Sequence, residues 1–183
     1  MHTLLIFPKL PKIKIMKKIS IVLILLGLFH FNLQAQKTEK DFYNMLDGMY
    51  SYTVPLISPA DFLKKAGDNY VILDTREEKE YQISHLPNAQ CVGYDKVNLE
   101  AVKGLPKDQP ILVYCSVGYR SERIGEKLQE MGFTHVYNLY GGIFNWSNKG
   151  EKMLDAQEAS TEKVHGYNQE WSQWILKGKK VLK

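Results

Sequence analysis

The sequence predicts an α/β fold in which a parallel β-sheet is flanked by helices on both faces. Two short apolar runs, residues 70–73 and 111–114, contain no charged residue, which is typical of strands that are covered on both faces. After the second run, Ile124, Leu128 and Met131 recur at helical spacing. Strands that alternate with helices in this way favour a parallel sheet joined by right-handed crossovers.

The segment between the second strand and its helix carries the chemistry that the sequence offers. Cys115 directly follows the strand, and Gly118 permits a tight turn before the helix. Backbone N–H groups and the positive end of a helix converge at such a position, where they favour an anion and stabilise a thiolate. Arg120 and Arg123 are expected to add positive charge for the thiolate or for an anionic substrate. The alternative is that Cys115 is only a small buried core residue.

Residues 1–35 have the plan of a secretory signal peptide rather than of a folded segment. Two lysines precede an apolar run over residues 19–31, and the small residue Ala35 follows it. We take Met16 as the true start and expect an exported protein, periplasmic or extracellular. The run is interrupted by polar residues and falls short of the roughly 20 apolar residues that span a bilayer. The mature chain is therefore expected to have no membrane span, and an uncleaved anchor is the alternative.

The predicted signal peptide also accounts for the positive charge of the chain. The sequence has 24 basic and 20 acidic residues, and five lysines but no acidic residue lie in residues 1–35. The remaining chain has 19 basic and 20 acidic residues, a net charge of −1. This balance gives no electrostatic case for nucleic acid as a partner. Small molecules or proteins are expected as partners instead.

The 148 residues from 36 to 183 suit one domain with a single sizeable core. Cys91 and Cys115 are the two cysteines of the sequence, and their spacing matches no zinc or Cys-x-x-Cys pattern. The sequence therefore predicts no metal site and no cofactor. A disulfide between the two cysteines is left open as an alternative.

Two helices are predicted before the first long strand. Residues 36–54 form an N-terminal helical segment with a structural role, because Phe42 and Leu46 recur at a helical interval. Ser58 then caps a second helix that continues to Lys65.

Asp74 and Arg76 lie just past the end of the first predicted strand, where open α/β sheets place ligand-binding groups. Location alone does not make them catalytic. We expect Asp74 to accept backbone N–H bonds and Arg76 to pair with a carboxylate such as Glu80. These contacts would fix the connection that follows the strand.

His85 and Cys91 are two further reactive side chains, and the sequence assigns both to the fold. His85 precedes a Leu-Pro-Asn-Ala turn that leads to a short strand over residues 90–92. A thiolate that is already stabilised by its loop needs no general base, so we do not assign that role to His85. Cys91 is interpreted as a packed core residue, with a resolving or disulfide role as the alternative.

The last predicted elements complete the sheet and extend beyond it. A strand over residues 133–139 and a helix over residues 143–147 follow the loop helix. Residues 151–183 form a C-terminal extension that begins with a polar, acidic linker. Trp171 and Trp174 then recur at helical spacing before a lysine-rich tail. The tryptophans are expected to pack on the domain, and docking to a membrane surface or a partner is the alternative.

Three motifs, in order, resemble the signature segments of the rhodanese (sulfurtransferase) family. The loop CSVGYRS, which opens with Cys115, looks like the family's active-site loop. The stretch that opens with Asp74, DTR followed by EY and SHLPNA, is similar to the first signature, although Ser84 and Asn88 replace glycines that are more usual there. A later Gly-Gly-Ile motif is similar to the closing segment. The resemblance places a rhodanese-like domain at residues 55–150.

The resemblance implies a rhodanese-like parallel-sheet architecture and a sulfurtransferase with Cys115 as its catalytic residue. The Cys115 thiolate would take the outer sulfur of a thiosulfate-like anion, become a persulfide and pass the sulfur to a thiol or a cyanide-like acceptor. A protein acceptor is an open alternative. Asp74 and Arg76 would shape the cleft without reacting, and His85 would belong to the fold. The residues expected to bind the substrate are Ser116, Val117, Gly118, Tyr119 and Arg120.

Two other functions are weighed against sulfur transfer. A cysteine phosphatase or arsenate reductase also holds an oxyanion over a thiolate. Such phosphatases resemble one another in having five residues between cysteine and arginine, whereas four separate Cys115 from Arg120 here. The other alternative is a module that carries a persulfide or binds a partner without turnover. The cysteine, glycine and arginine positions of the loop are all occupied, which favours an enzyme.

Overall fold

A five-stranded parallel sheet forms the centre of the computed structural model, which describes residues 36–65 and 69–182. The predicted signal peptide lies outside the described residues. The strands of the sheet are β1 (Leu56–Ile57), β2 (Val71–Asp74), β3 (Ala89–Cys91), β4 (Ile111–Tyr114) and β5 (Val136–Leu139). They are ordered β1-β5-β4-β2-β3, and every neighbouring pair is parallel. The predicted parallel sheet is confirmed.

Five helices lie around this sheet, together with a 3₁₀ turn at Glu100–Val102. They are α1 (Glu39–Asp47), α2 (Pro59–Lys65), α3 (Glu78–Ile83), α4 (Tyr119–Glu130) and α5 (Gly142–Lys149). The N-terminal helix is confirmed as α1, which Thr38 and Asp41 cap reciprocally. The sequence did not predict α3. Six residues are too few for a clear periodicity, and the buried residue of this helix is charged, Glu80.

The central strand β4 separates two apolar clusters because its side chains alternate between the faces of the sheet. All four of its residues are 0% exposed. Ile111 and Val113 pack with the apolar side of α4. Leu112 and Tyr114 pack with residues of α1, α2 and α5 on the opposite face. Helices therefore cover both faces, as predicted, and β4 is the middle strand of the sheet.

The C-terminal extension differs from the prediction in its first half. The expected linker contains β6 (Met153–Leu154), which pairs with the antiparallel strand β7 (Ser160–Thr161). Leu154 also exchanges two backbone hydrogen bonds with His85, at 2.8 and 2.9 Å. The linker prediction was wrong because the apolar pair in β6 is buried against the domain, which the surrounding acidic residues obscured.

The second half of the extension contains the predicted helical turn. Strand β8 (Lys163–His165) pairs in parallel with β9 (Lys179–Val181), and α6 (Gln169–Ser172) lies between them. Trp174 is 8% exposed and packs against Phe42 of α1, with ring centroids 6.1 Å apart. The expected packing of this tryptophan on the domain is confirmed. Within the described ranges, the structure contains no helix with the length and apolar character that a membrane crossing requires.

Candidate active site

Cys115 lies at the carboxyl end of β4, one residue beyond the strand. Its side chain is 1% exposed. The chain turns at Gly118, whose φ of 101° lies in the left-handed region, and α4 begins at Tyr119. The turn directs the backbone N–H of Gly118 at the sulfur of Cys115, with an N–Sγ distance of 3.2 Å. The predicted juxtaposition of a cysteine, a backbone donor and a helix start is therefore present.

Each carbonyl group of this four-residue loop, residues 115–118, is held by a donor from another part of the molecule. Two backbone N–H groups at the start of α5 bond the first two carbonyl oxygens, at 2.9 and 3.0 Å. The Tyr50 hydroxyl donates to Val117 O at 2.5 Å, and the Asn138 amide donates to Gly118 O at 2.9 Å. The loop is thereby fixed in one conformation before any substrate binds.

Tyr50 ties the loop to the preceding segment of the chain. Its hydroxyl also accepts a hydrogen bond from Gly141 N at 2.9 Å. Burial raises the pKa of Tyr50 well above its ordinary value, so the hydroxyl stays protonated and keeps its donor. No local pattern in the sequence indicates this role, since Tyr50 lies 67 positions from Val117.

Arg120 forms a two-pronged ion pair with Glu80 at the edge of the loop. Nη1 lies 2.9 Å from Oε2 and Nη2 lies 2.8 Å from Oε1. Arg120 also donates to the hydroxyl of Ser116 at 3.1 Å. Burial raises the pKa of Glu80, but the guanidinium of Arg120 outweighs it and holds that pKa below its ordinary value. The charge of Arg120 is thus balanced by a carboxylate that the sequence had assigned to Arg76.

Arg76 pairs with Asp74 instead, and both side chains are 0% exposed. The Arg76 guanidinium contacts both carboxylate oxygens, and its backbone N–H donates to Oδ1 at 3.0 Å, as expected for Asp74. The predicted Arg76–Glu80 pair was wrong because Asp74, with only Thr75 between it and Arg76, is the carboxylate that the Arg76 guanidinium contacts. Burial acts to lower the pKa of Arg76, but the Asp74 carboxylate outweighs burial and raises that pKa above its ordinary value. A cleft-shaping role for the pair stays a prediction.

A cavity of about 350 Å³ opens beside Cys115. The predicted residues Ser116, Val117, Tyr119 and Arg120 line it, whereas Gly118 contributes its N–H from behind the sulfur. The sequence missed the other lining residues. These are Met49, Glu77, Tyr94, Asp95, Tyr167 and Trp171.

The sequence contains a signal for two of the lining residues that the prediction missed, Tyr94 and Asp95. Tyr94 and Asp95 follow the end of β3, and residues at the carboxyl ends of parallel strands meet at one edge of a sheet. Tyr167 and Trp171 belong to the C-terminal extension, which sequence reasoning treated as a peripheral segment. No local pattern indicates that this segment returns to the loop.

Arg123 does not contribute to the cavity. Its guanidinium contacts the carboxylates of Glu122 and Glu126 and the hydroxyl of Ser51. The expectation that Arg123 adds charge at the thiolate was wrong. Three residues after Arg120, it lies on another side of α4, where acidic neighbours on the same helix neutralise it.

His85 and Cys91 lie outside the cavity. His85 is 1% exposed, stacks on Tyr81 with centroids 4.0 Å apart and contacts Glu158 at 3.3 Å, so it belongs to the fold as predicted. Cys91 and Cys115 are both free, which removes the disulfide alternative. No cluster of three or more metal-ligating His, Cys, Asp or Glu side chains occurs within residues 36–65 and 69–182.

Comparisons with known proteins show which family and fold the chain resembles. A family model, the rhodanese-like domain, matches residues 58–149. The thiosulfate sulfurtransferase GlpE of Coxiella burnetii is 37% identical over 76 residues, which cover 42% of this chain and 70% of that protein. A tRNA uridine(34) hydroxylase of Bdellovibrio bacteriovorus is 35% identical over 97 residues, which cover 49% of this chain and 27% of that protein.

Solved structures show the same fold. A thiosulfate sulfurtransferase from Pseudomonas aeruginosa superposes with a TM-score of 0.53 at 20% identity, covering 73% of this chain and 25% of that chain. The rhodanese-like domain of a protein from Anabaena sp. superposes with a TM-score of 0.50 at 24% identity, covering 55% of this chain and 79% of that chain. Since the family model also matches half of the sequence, the chain belongs to the rhodanese-like family.

Proposed function

We propose that the protein transfers sulfane sulfur through a persulfide on Cys115. The observation that carries this proposal is the Gly118 N–H held 3.2 Å from the Cys115 sulfur, in a rigid loop that opens onto a cavity. A fixed backbone donor stabilises negative charge on the cysteine sulfur without reorganisation. Membership of a family with named sulfurtransferases supports the general chemistry.

The donor in this proposal is a thiosulfate-like anion. The Cys115 thiolate attacks the outer sulfur of thiosulfate, the S–S bond of thiosulfate breaks, and sulfite leaves with the bonding electron pair. Cys115 then carries a persulfide. A thiol or cyanide attacks the outer sulfur of that persulfide, and the Cys115 thiolate is released for another turnover.

The arrangement of Arg120 favours sulfur transfer over phosphate chemistry. In the phosphatase alternative, the arginine must bind the oxyanion through both of its terminal nitrogens. Here both nitrogens already contact Glu80, which is 0% exposed. A role of Arg120 in binding the sulfur donor stays a prediction.

Steady-state transfer from thiosulfate to cyanide tests the proposal. We expect turnover that depends on thiosulfate concentration, together with no hydrolysis of an aryl phosphate above that of Cys115→Ser. A persulfide on Cys115 without turnover would instead support a carrier module. Phosphatase activity that disappears in Cys115→Ser would overturn the proposal.

We also propose that the protein is exported from the cytoplasm. This proposal is supported by the lysine pair, the apolar run and the small residue within residues 1–35. Fractionation of cells that express the full chain with a C-terminal tag tests it. Recovery outside the cytoplasm, with a mature N-terminus at Gln36, is the expected result, and an uncleaved cytoplasmic protein would contradict it.

A further inference from the structure

The outer wall of the cavity is built from apolar and aromatic side chains that lie outside the cysteine loop. Tyr167 and Trp171 come from the C-terminal extension, Tyr94 from the segment after β3 and Met49 from the segment after α1. Tyr167 is 54% exposed, so its ring lies at the mouth of the cavity rather than in the core. Four side chains from three separate segments therefore give this small cavity an apolar wall.

The charges on the part of the wall outside the cysteine loop do not favour an anionic group. Among the lining residues that the structure describes, Arg120 is the cation. It is paired with Glu80, which does not itself line the cavity. Glu77 and Asp95 add two carboxylates to the lining, and Glu77 accepts backbone N–H bonds from Tyr94 and Asp95 at 3.2 and 3.0 Å. Glu77, Tyr94 and Asp95 therefore lie together on one part of the wall, where the two carboxylates disfavour an anionic group. The donor anion of the proposed function would bind beside Cys115 in the loop instead.

The aromatic wall also covers the guanidinium of Arg120. Its central carbon lies 5.4 Å from the centroid of the Tyr167 ring and 6.0 Å from that of Tyr94. Tyr167 holds this position with a φ of 63°, in the left-handed region that is uncommon for a tyrosine. Its N–H donates to Nδ1 of the buried His165 at 3.1 Å, which fixes the turn. The extension thus presents an aromatic ring to the site at a cost in backbone conformation.

We propose that this cavity binds an organic thiol with an apolar, aromatic body and no anionic substituent as the sulfur acceptor. The inference rests on the proposed function, because it concerns the step that discharges the Cys115 persulfide. The acceptor thiolate attacks the outer sulfur, the bond between that sulfur and Cys115 Sγ breaks, and Cys115 leaves as a thiolate. The acceptor departs as its own persulfide. Tyr167 and Trp171 determine which acceptors bind.

The test begins with protein whose Cys115 carries a persulfide, freed of excess donor. Loss of the added sulfur is followed by mass spectrometry with three thiols: benzyl mercaptan, 4-(mercaptomethyl)benzoate and 2-mercaptoethanol. The first pair differ by a carboxylate remote from the sulfur, and the last thiol has no aromatic body. We expect benzyl mercaptan to react about tenfold faster than each of the others, relative to their rates with a small-molecule persulfide. Equal relative rates would overturn the inference.

A matched pair of variants assigns the preference to the extension. Tyr52 is the control for Tyr167, since it is also a tyrosine with a positive φ, at 57°, and is 57% exposed, but it does not line the cavity. Tyr167→Ala is expected to remove most of the preference for benzyl mercaptan, and Tyr52→Ala to keep it. Equal preferences in both variants would contradict the role of Tyr167.

Failure of the underlying function gives a different result. If thiosulfate and small persulfides add no sulfur to Cys115, the proposed function fails and this inference fails with it. If the persulfide forms and is discharged without regard to the acceptor's body or charge, the proposed function stands and only the acceptor class is wrong.

Discussion

Cys115 and Cys91 occupy nearly equivalent places in the fold and differ in what the chain places beside them. Both lie at the carboxyl edge of the sheet, on the two strands that flank β2. Asp74 is aligned with Cys91 on one side and with Tyr114, the residue before Cys115, on the other. A helix-start loop and a backbone N–H meet the sulfur of Cys115. Cys91 instead has the Arg76 carbonyl oxygen 3.5 Å from its sulfur, and the Asp74 and Glu78 carboxylates outweigh a backbone N–H from Gly93.

In the proposed function the less exposed of the two cysteines is the reactive one, so exposure would not identify it. Cys115 is 1% exposed, whereas Cys91 is partly exposed. Burial and the Asp74 carboxylate raise the pKa of Cys91 to about 12, so its thiol keeps its proton at neutral pH. The groups beside the two sulfurs differ, because a backbone N–H of the loop faces Cys115, whereas burial and the Asp74 and Glu78 carboxylates favour the protonated thiol of Cys91.

Replacing each cysteine in turn gives the largest expected difference. Cys115→Ala should abolish sulfur transfer from thiosulfate to cyanide, because no other described thiol opens onto the cavity. Cys91→Ala should retain most of the activity. The initial rates of purified, folded variants measure this contrast, and a comparable loss in both variants would break the distinction between the two sites.

Alkylation measures the state of Cys91 directly. In Cys115→Ala, iodoacetamide should label Cys91 at least about a hundredfold more slowly at neutral pH than it labels a small-molecule thiol, since a thiol with a pKa of about 12 has little thiolate. The rate should continue to rise with pH beyond the range in which an ordinary thiol levels off. A plateau near the ordinary thiol pKa would show that burial and the Asp74 carboxylate do not raise the pKa of Cys91.

The loop at Cys115 is expected to be intolerant of a side chain at Gly118. An alanine at this position would have to adopt a φ of 101°, and its Cβ would lie 2.2 Å from the Tyr50 hydroxyl oxygen. Left-handed strain and the overlap together should cost about 2–4 kcal/mol of unfolding free energy. Urea denaturation measures the loss, and transfer activity should fall as Tyr50 is displaced from Val117.

Gly104 provides the matched control for this substitution. It also has a positive φ, 77°, but an added Cβ would meet nothing within 4 Å. Gly104→Ala should therefore cost only about 1–2 kcal/mol and keep activity. Equal losses in the two variants would mean that backbone strain alone, without the contact to Tyr50, accounts for the effect.

Loss of the Glu80 charge should have a smaller effect on stability. Glu80→Gln leaves Arg120, whose side chain is 16% exposed, without its counter-ion and should cost about 1.5–3 kcal/mol. The control is Glu100→Gln, which breaks an exposed pair with Lys103 and should cost at most about 1 kcal/mol. Chemical denaturation compares the two variants, and an unaltered midpoint for Glu80→Gln would contradict the buried pair.

The same pair predicts how stability changes with pH. Arg120 holds the pKa of Glu80 below 4.5, the ordinary glutamate value, despite burial. The stabilisation from this pair is therefore fully present above that pH and is lost as the pH falls through the lowered pKa. The difference in unfolding free energy between wild type and Glu80→Gln should be constant near neutral pH and shrink as the pH falls below the ordinary glutamate value and through the lowered pKa. A constant difference throughout would show that charge does not act in the pair.

The sequence predicted the parts of the fold that depend on local pattern. The apolar run before Cys115 located β4 to the residue, and the spacing of Ile124 and Leu128 located the helix that follows. Met131, the third residue of that predicted face, is exposed instead, because the helix ends at Glu130. Helix α3 escaped prediction because its sequence lacks an apolar face. The acidic linker was misread because burial of the two residues in β6 depends on contact with His85.

The candidate site, like the fold, was predictable only where it depends on residues that are adjacent in the sequence. Cys115 and its loop follow from strand, turn and helix signals that are adjacent in the sequence. The partners of the arginines do not, because Arg120 meets Glu80 across 40 positions of the chain. Tyr167 reaches the cavity only through the packing of the whole extension. Neighbouring residues in the sequence are enough to locate the candidate cysteine, whereas its surroundings depend on tertiary contacts.

The most direct test of the account locates the transferred sulfur. Wild-type protein is treated with thiosulfate, alkylated, digested and mapped by mass spectrometry, with untreated protein as the reference. One added sulfur atom should appear on the peptide that contains Cys115 and none on the peptide that contains Cys91. Sulfur on Cys91, or on neither peptide while transfer activity is present, would contradict the assignment of Cys115 as the residue that carries the persulfide.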